Sequence, residues 1–433
     1  MHEGGDDRHS GLADPDAPAC PVSGPSAFRV WGIVALCFCA LGLTFAARSS
    51  VGVLMPIWEV DLGWSRGLSS TGSSLVLLIM ALISPIAGDI IDRVGPRHVF
   101  AGGLVFMGGA IAASSQISRE WEFLVLFGVI GGIGHGAISL PLVTTMMAQL
   151  LKRHSGLVTG LALSGSTAGQ LPVLTLLALL VTMLGWRDAY LSFGFGLLAL
   201  IPLAWLMLKG VGGEPRVQAE HQTDAATLRA RLGVLGRNRT FVLLTCSYVL
   251  CGFTTGGVFD VHFVPYAVSS GFALVDSTAA HGAHGMGNMM GLILFGWLSD
   301  RVHRARLLAA MYAARALLFI LLLNTTGNLT LLFVFTVAFG ILNFATLAPI
   351  ASLIASHVGI RMMGLSTGLL FCGHSIGAAA GAIFGGHFYD LTARYEGVWL
   401  IALGLALFAA LLATLVREEP DGNRPRLGVA TAV

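Results

Sequence analysis

The sequence predicts an all-α membrane protein of twelve transmembrane helices arranged in two six-helix halves. Only 11% of its 433 residues are charged and 55% are hydrophobic, whereas about 25% of a soluble protein is charged. Apolar runs recur along the whole chain, and one short motif recurs at equivalent places in the two halves. So few charges cannot cover a water-facing surface, and a net charge of +2 does not favour a nucleic-acid partner.

The apolar runs are each close to the roughly 20 residues that a helix needs to cross a bilayer. The first is longer than the core of a signal peptide and no A-x-A site follows it, so we expect it to be retained. Pro56 predicts that this first helix bends or ends nearby. The twelve runs lie at 29–57, 67–91, 98–117, 122–149, 156–184, 189–209, 240–268, 277–299, 306–323, 329–356, 362–388 and 397–416.

The longest internal polar stretch separates six runs from six and therefore marks the domain boundary. The predicted parts are a disordered tail (1–28), a first half (29–209), a linker (210–239), a second half (240–416) and a second tail (417–433). Most of the 25 Lys and Arg residues fall in the tails, the linker and the loops on the same side as them. The positive-inside rule therefore predicts that both termini are cytoplasmic in a multi-pass protein of the cell inner (plasma) membrane.

The recurring motif is G-x-x-x-D-R, which begins at Gly88 at the end of the second run and at Gly296 at the end of the eighth. The two copies lie 208 positions apart, and Gly63 and Gly271 show the same offset. Two six-helix halves in the same orientation form the parallel repeat of one class of secondary transporters. We expect the motif to latch the cytoplasmic side, and its gating candidates are Gly88, Asp92, Arg93, Arg97, Asp300 and Arg301.

The two motif segments, GDIIDRVGPRH and GWLSDRVHRAR, resemble the loop signature of the major facilitator superfamily. The segments VDLGWSRGLSS and LLKRHSGLVTGLALSGSTAGQ resemble more narrowly the monocarboxylate and oxalate/formate transporter branch. This resemblance implies secondary active transport of a small organic anion, a monocarboxylate, by alternating access. The chain departs from monocarboxylate carriers in the eighth run, where it has His281, His284 and Asn288 instead of an arginine.

Two alternatives to proton-coupled anion transport stay open. One is proton-driven efflux of amphipathic drugs or metabolites, although the fourth-run stretch GGIGHGAIS lacks the arginine of drug–proton antiporters. The other is anion exchange without protons. The sequence contains no nucleophile–base set, metal-ligand cluster or ATP-binding loop, so we expect no enzyme activity, no metal and no cofactor. The expected partners are a small organic anion, protons and the lipid bilayer, around a monomer.

Apart from Arg29 at its first position, Arg48 is the only charged residue within the first run. A charge at the bilayer centre costs about 2.5–3.5 kcal/mol, so it needs a partner or a function. A guanidinium binds a carboxylate through two parallel hydrogen bonds, which predicts that Arg48 anchors the substrate. The alternative is a structural ion pair. Because Arg48 corresponds to Gly256 across the repeat, Asp260 lies about one turn, roughly 5–6 Å, further along and is the candidate partner.

Asp260 and His262 are the candidates for proton coupling. A buried carboxylate beside a cation is balanced between two opposing effects on its protonation, and histidine titrates near neutral pH. The alternative for both is a position at a helix end near water.

Further polar residues within the runs predict the rest of the substrate site. His281, His284 and Asn288 share one helix face, which we expect to line a central cavity. Gln170 and His374 interrupt the fifth and eleventh runs and are also substrate candidates, with hydrogen bonding between helices as the alternative for Gln170. Arg315 lies nine residues into the ninth run, and we expect its side chain to reach back to the cytoplasmic surface.

Overall fold

The computed structural model describes residues 27–140, 142–143, 146–147, 155–211, 228–299, 301–325, 327–358 and 363–417. The predicted tails and most of the linker, like Asp300, lie outside the described residues. Twelve helical spans are present, as the sequence predicts, and within the described ranges nine helices are long and apolar enough to cross a membrane. Spans 3, 4 and 8 complete the twelve.

The first six spans form the N-half. Span 1 continues through Pro56, so the helix does not end at this proline. The bounds are Ala27–Asp61 for span 1, Arg66–Val94 for span 2, Pro96–Ser114 for span 3, Glu120–Phe123 with π-helical Leu124–Gly131 and Gly132–Ala137 for span 4, Ser155–Ala168 with Gln170–Leu184 for span 5, and Trp186–Leu198 with Leu200–Met207 for span 6.

A short helix within the predicted linker precedes the C-half, which comprises spans 7 to 12. The bounds are Leu228–Arg237 for the linker helix, Arg239–Gly252 with π-helical Phe253–Phe259 and Asp260–Ser269 for span 7, Leu274–Ser299 for span 8, Arg304–Leu323 for span 9, Leu329–Asn343 with the 3-10 turn Phe344–Thr346 and Leu347–Val358 for span 10, Met363–Thr392 for span 11, and Glu396–Thr414 for span 12.

The turns between spans 1 and 2 and between spans 7 and 8 show the internal repeat directly. Gly63 and Gly271 occupy equivalent positions there, with φ angles of 67° and 92°. Only glycine adopts this left-handed conformation without a steric penalty, so the same residue type serves the same turn in both halves.

Each half has its own apolar core. In the N-half, Trp58 is fully buried, and the rings of Phe123 and Tyr190 lie 5.0 and 6.0 Å from its ring. In the C-half, Phe259 packs on Phe339 with ring centroids 4.4 Å apart. Aromatic side chains bury large areas, so each half is packed mainly within itself.

The two halves meet at the face of the bundle opposite the chain termini and separate toward the termini-bearing face. Gly285 in span 8 lies against the backbone of Thr167 in span 5. Further along the same face of span 8, Met289 and Leu292 are 41% and 40% exposed. The two spans therefore diverge toward the termini-bearing face.

Spans 2 and 11 diverge in the same direction. Gly386 lies against Ser70, whereas Ile376 and Cys372, further toward the termini-bearing face of span 11, are exposed. The structure is therefore closed at one face of the bundle and open at the other.

Candidate functional site

Arg48 and Asp260 form an ion pair that joins the two halves. The Nη2 atom of Arg48 in span 1 donates a hydrogen bond to Oδ2 of Asp260 in span 7 at 2.7 Å. Asp260 is positioned by the π-helical segment of span 7, since the regular helix resumes at this residue. The side chains are 12% and 15% exposed, so the pair is largely buried but reachable. The repeat offset predicted this contact.

Gln170 lies beside this pair. Its amide donates to the Ser166 carbonyl at 2.5 Å, and its Oε1 accepts from the Ser49 hydroxyl at 3.4 Å. Ser49 follows Arg48 in span 1, so the predicted substrate residues Arg48 and Gln170 are neighbours within the N-half. The weak 3.4 Å contact leaves the amide oxygen of Gln170 able to accept a better hydrogen bond.

The polar stripe of span 8 is buried against spans 7 and 10. Nε2 of His284 is 3.0 Å from Nδ2 of Asn343, and Oδ1 of Asn288 accepts from the backbone N–H of Phe344 at 3.1 Å. His281 is 3% exposed and its ring stacks on Phe259. In this conformation the stripe makes the hydrogen bonds between helices that the sequence left as an alternative to substrate contact.

The stripe is nevertheless coupled to the ion pair. His281 and His284 both interact electrostatically with Asp260. Phe259, next to Asp260 in the chain, lies 4.8 Å from the His284 ring. A change in the charge of Asp260 therefore alters the electrostatic environment of the span 8 histidines.

His262 and His374 lie in separate environments. His262 is fully buried, and its Nε2 donates to the Ala382 carbonyl at 2.9 Å, so its Nδ1 is the acceptor for the Tyr395 hydroxyl at 3.4 Å. The His374 ring lies 4.6 Å from the Tyr248 ring and next to Cys251. Neither histidine contacts the Arg48–Asp260 pair among the described contacts.

Arg315 does not reach the surface, so the sequence prediction for it is wrong. The residue is fully buried, and its guanidinium donates to Cys251 and to the carbonyls of Leu342 and Asn343. These partners lie in spans 7 and 10. They bind both terminal nitrogens of the guanidinium inside the protein, so the side chain has polar partners without extending to water.

The gating candidates at the termini-bearing face make no described contact between halves. The side chains of Gly88, Asp92 and Arg93 lie outside the described part, as does Asp300. The guanidinium of Arg97 lies 3.7 Å over the Trp205 ring in its own half, and Arg301 donates to the Trp297 carbonyl in its own span. Both contacts are compatible with the separation of the halves at this face.

A second contact between the halves closes the opposite face. The carboxylate of Asp390, in span 11, accepts the backbone N–H groups of Arg66 and Gly67 at 3.0 and 2.8 Å. It thereby caps the first turn of span 2 from the other half of the protein. The Arg66 side chain pairs with Glu59 at 2.8 Å and lies 3.7 Å over the Tyr389 ring. We call these residues the opposite-face latch.

Sequence analysis missed this latch, although Arg66 lies in the segment VDLGWSRGLSS that carried the family resemblance. Tyr395 supports the latch from the loop before span 12, where burial raises the pKa of its hydroxyl. The hydroxyl therefore stays protonated and donates to His262. The only sequence signal was the position of two latch residues along the predicted spans. Arg66 follows the turn between spans 1 and 2, and Asp390 precedes the turn between spans 11 and 12, on the same predicted side of the membrane.

We expect Asp390→Asn to weaken closure of this face. An asparagine can still accept one N–H, but it loses the charge that favours a helix N-terminus, and such caps contribute about 0.5–2 kcal/mol. With a reporter cysteine at Ser74, whose hydroxyl bonds to the Ala379 carbonyl across the halves, labelling by an impermeant thiol reagent should increase about tenfold.

The control is Glu120→Gln, which removes an exposed carboxylate at the same face in the first turn of span 4. It should leave labelling unchanged. Equal labelling in Asp390→Asn and in the parent would show that the cap does not hold the halves together.

Within the described residues, no group of three His, Cys, Asp or Glu side chains is placed to hold a metal ion. The arrangement instead offers a cationic group, a neighbouring amide and a displaceable carboxylate between two halves that open at one face. This combination can bind an anion and expose it to one side at a time.

Comparison with known proteins supports this architecture. The family model of the Major Facilitator Superfamily matches residues 37–371 and 279–431. The chain is 25% identical to the uncharacterized MFS-type transporter YcxA of Bacillus subtilis (strain 168), over 82% of this chain and 88% of that protein. It is 27% identical to monocarboxylate transporter 11 of Homo sapiens, over 90% of this chain and 84% of that protein.

Solved structures share the fold at low sequence identity. A bacterial homolog of the human lysosomal transporter Spinster superposes with a TM-score of 0.70 at 16% identity, covering 92% of this chain and 100% of that one. A D-xylose–proton symporter superposes with a TM-score of 0.71 at 15% identity, covering 91% and 99%. With its twelve spans, repeated motif and family match, the chain belongs to the Major Facilitator Superfamily and is a membrane transporter, not an enzyme.

Proposed function

We propose that this transporter carries a small organic anion, a monocarboxylate, by alternating access and in symport with a proton. The observation that carries the proposal is the Arg48–Asp260 pair, which joins the halves and is partly exposed. The protein would act as a monomer in the cell inner (plasma) membrane, with both termini cytoplasmic. The similarity to monocarboxylate transporter 11 supports the substrate class.

The substrate carboxylate would compete with Asp260 for the guanidinium of Arg48. A low-dielectric site tolerates a paired charge far better than an unpaired one. When substrate takes over the guanidinium, Asp260 loses its counter-ion and binds a proton, so the site keeps zero net charge. One proton therefore accompanies each anion, and the exchange of partners releases the contact between spans 1 and 7.

Neighbouring polar residues would complete the site. Gln170 is placed to bind the second oxygen or a hydroxyl of the substrate, because its Oε1 has only the weak contact with Ser49. His284 and Asn288 shape the side formed by span 8, and His374 lies further along in the C-half. We assign the proton to Asp260 rather than His262, because His262 is fully buried and both its ring nitrogens bond elsewhere.

The test is uptake into proteoliposomes with an imposed pH gradient. Short carboxylates should accumulate only when the outside is more acidic, and the matching uncharged amides should not be transported. Uptake that ignores the gradient would favour anion exchange and overturn proton symport.

We expect Asp260→Asn to separate binding from proton coupling. Asparagine keeps the size of Asp260 but cannot take up a proton, and it leaves Arg48 without a charged competitor. Gradient-driven uptake should fall at least about tenfold, while substrate binding measured by thermal stabilisation should strengthen. Retained gradient-driven uptake in this variant would exclude Asp260 as the proton carrier.

A second candidate function is proton-driven efflux of amphipathic drugs or metabolites. The observation that favours it is the set of exposed apolar side chains on span 8 where the halves separate, among them Met289 and Met290 at 41% and 55% exposure. Methionine adapts to ligands of many shapes. Stabilisation by amphipathic cations, with none by carboxylates, would support this function and overturn the first.

A further inference from the structure

The guanidinium of Arg315 is enclosed by protein on every side. The residue has 0% exposure, and its Nη1 donates to Sγ of Cys251 at 3.1 Å. Its Nη2 donates to the carbonyl oxygens of Leu342 at 2.7 Å and Asn343 at 3.4 Å. The side chain thus connects span 9 to spans 7 and 10.

This buried cation has no carboxylate partner among the described residues, whose salt bridges are those of Arg48 and Arg66. Burying an uncompensated charge costs several kcal/mol, so a counter-anion is expected within contact distance. The titratable groups near the guanidinium are His284, which cannot supply an anion, and Cys251, Tyr248 and Tyr312, which can. A thiol is ordinarily more acidic than a phenol, and of these three groups only the sulfur accepts a hydrogen bond from Arg315.

A second polar group lies beside the sulfur. Cys251 is 2% exposed, and the imidazole of His374 in span 11 lies next to it. The charged donor Arg315 favours the anionic form of the sulfur, because a hydrogen bond between two ionised groups is stronger than one to a neutral acceptor. We propose that Cys251 is a thiolate that forms a buried ion pair with Arg315, and that this pair holds the break in span 10.

The break in span 10 links the pair to the candidate site. The 3-10 turn Phe344–Thr346 interrupts the helix, and Arg315 binds the carbonyls of Leu342 and Asn343 just before it. The Asn343 side chain in turn contacts His284 at 3.0 Å. Arg315 and Cys251 are therefore positioning residues, which orient Asn343 and, through it, the span 8 stripe.

The direct test is ultraviolet spectroscopy of the full chain in lipid nanodiscs, which needs no knowledge of the substrate. A variant that keeps Cys251 as its only cysteine should show thiolate absorbance at neutral pH, and adding Arg315→Gln should abolish it. The matched control keeps only Cys37, which is also fully buried but has no described cationic partner, and should show none. Absence of the thiolate band in the Cys251-only protein would overturn the proposal.

Transport gives a second readout in which the conservative variant separates charge from packing. Cys251→Ser, which is neutral, should lower transport about tenfold, whereas Cys251→Asp, which restores an anion, should recover most of it. Equal transport in the two variants would show that charge at this position does not matter. Since the band is measured without substrate, failure of the proposed function would leave this test intact.

Discussion

Arg48→Gln is expected to reduce carboxylate transport about 100-fold, equivalent to about 2.8 kcal/mol. The variant removes the guanidinium that would hold the substrate and leaves Asp260 without its 2.7 Å partner. Truncating one member of a buried charged pair costs 2–5 kcal/mol in other systems, so the estimate lies within the usual range. The measurement is initial uptake into proteoliposomes, with reconstituted protein quantified.

The double variant Arg48→Gln with Asp260→Asn separates substrate anchoring from structural pairing. Because Asp260→Asn alone removes proton coupling, the readout for the double variant is substrate binding, measured as thermal stabilisation by carboxylates. If Arg48 only balances Asp260, removing both charges should restore thermal stability and keep stabilisation by carboxylates. If Arg48 anchors the substrate, the double variant should regain thermal stability but lose stabilisation by carboxylates. Arg48→Lys should retain partial activity, because an ammonium keeps the charge but not the two-pronged geometry.

Gly285→Ala is expected to reduce transport at least about tenfold by preventing closure of the face opposite the termini. A Cβ at this position would overlap the carbonyl of Thr167, with its carbon atom only 2.7 Å away. All three nearest atoms belong to the backbone, so no side-chain rotation relieves the overlap. Overpacking of this kind costs about 1–3 kcal/mol, and here the halves can avoid it by separating.

The readout is labelling of a cysteine at Ser74 by an impermeant thiol reagent, which should rise in Gly285→Ala as transport falls. The control is Gly196→Ala in span 6, where an added Cβ meets no atom within 4 Å. It should change neither measurement. Normal transport by Gly285→Ala would show that closure does not need this close approach.

Much of the fold was predictable because the bilayer fixes the length of each apolar run. The twelve spans and two halves followed from hydropathy and from the repeated G-x-x-x-D-R motif. The Arg48–Asp260 contact was also predictable, because the 208-residue offset matches Arg48 to Gly256 and Asp260 lies about one helical turn beyond that position. A repeat shows which positions of the two halves are equivalent in space. An isolated residue carries no such information about its neighbours.

The other contacts left no such signal. Asp390 binds two backbone N–H groups, and any segment offers those, so residue types alone could not pair it with span 2. His262 bonds to the backbone carbonyl of Ala382. Every residue carries such a carbonyl, so the sequence could not predict this partner either. The sequence predicted a surface position for Arg315 only from its depth in the helix. In the structure its guanidinium binds two carbonyls just before the break in span 10. Hydrophobic periodicity does not reveal such a break.

The glycines between the halves have a consequence for the entropy of closing. Gly52 lies against the Val261 carbonyl, as Gly285 does against Thr167 and Gly386 against Arg66 and Ser70, so each contact is made by a residue without rotamers. Ordering a long side chain costs up to about 1.5–2 kcal/mol, and a glycine seal avoids this cost at its own positions. Closing therefore freezes fewer torsions than a seal made only of long side chains would, which lowers the differential affinity that one bound anion must supply to shift the equilibrium.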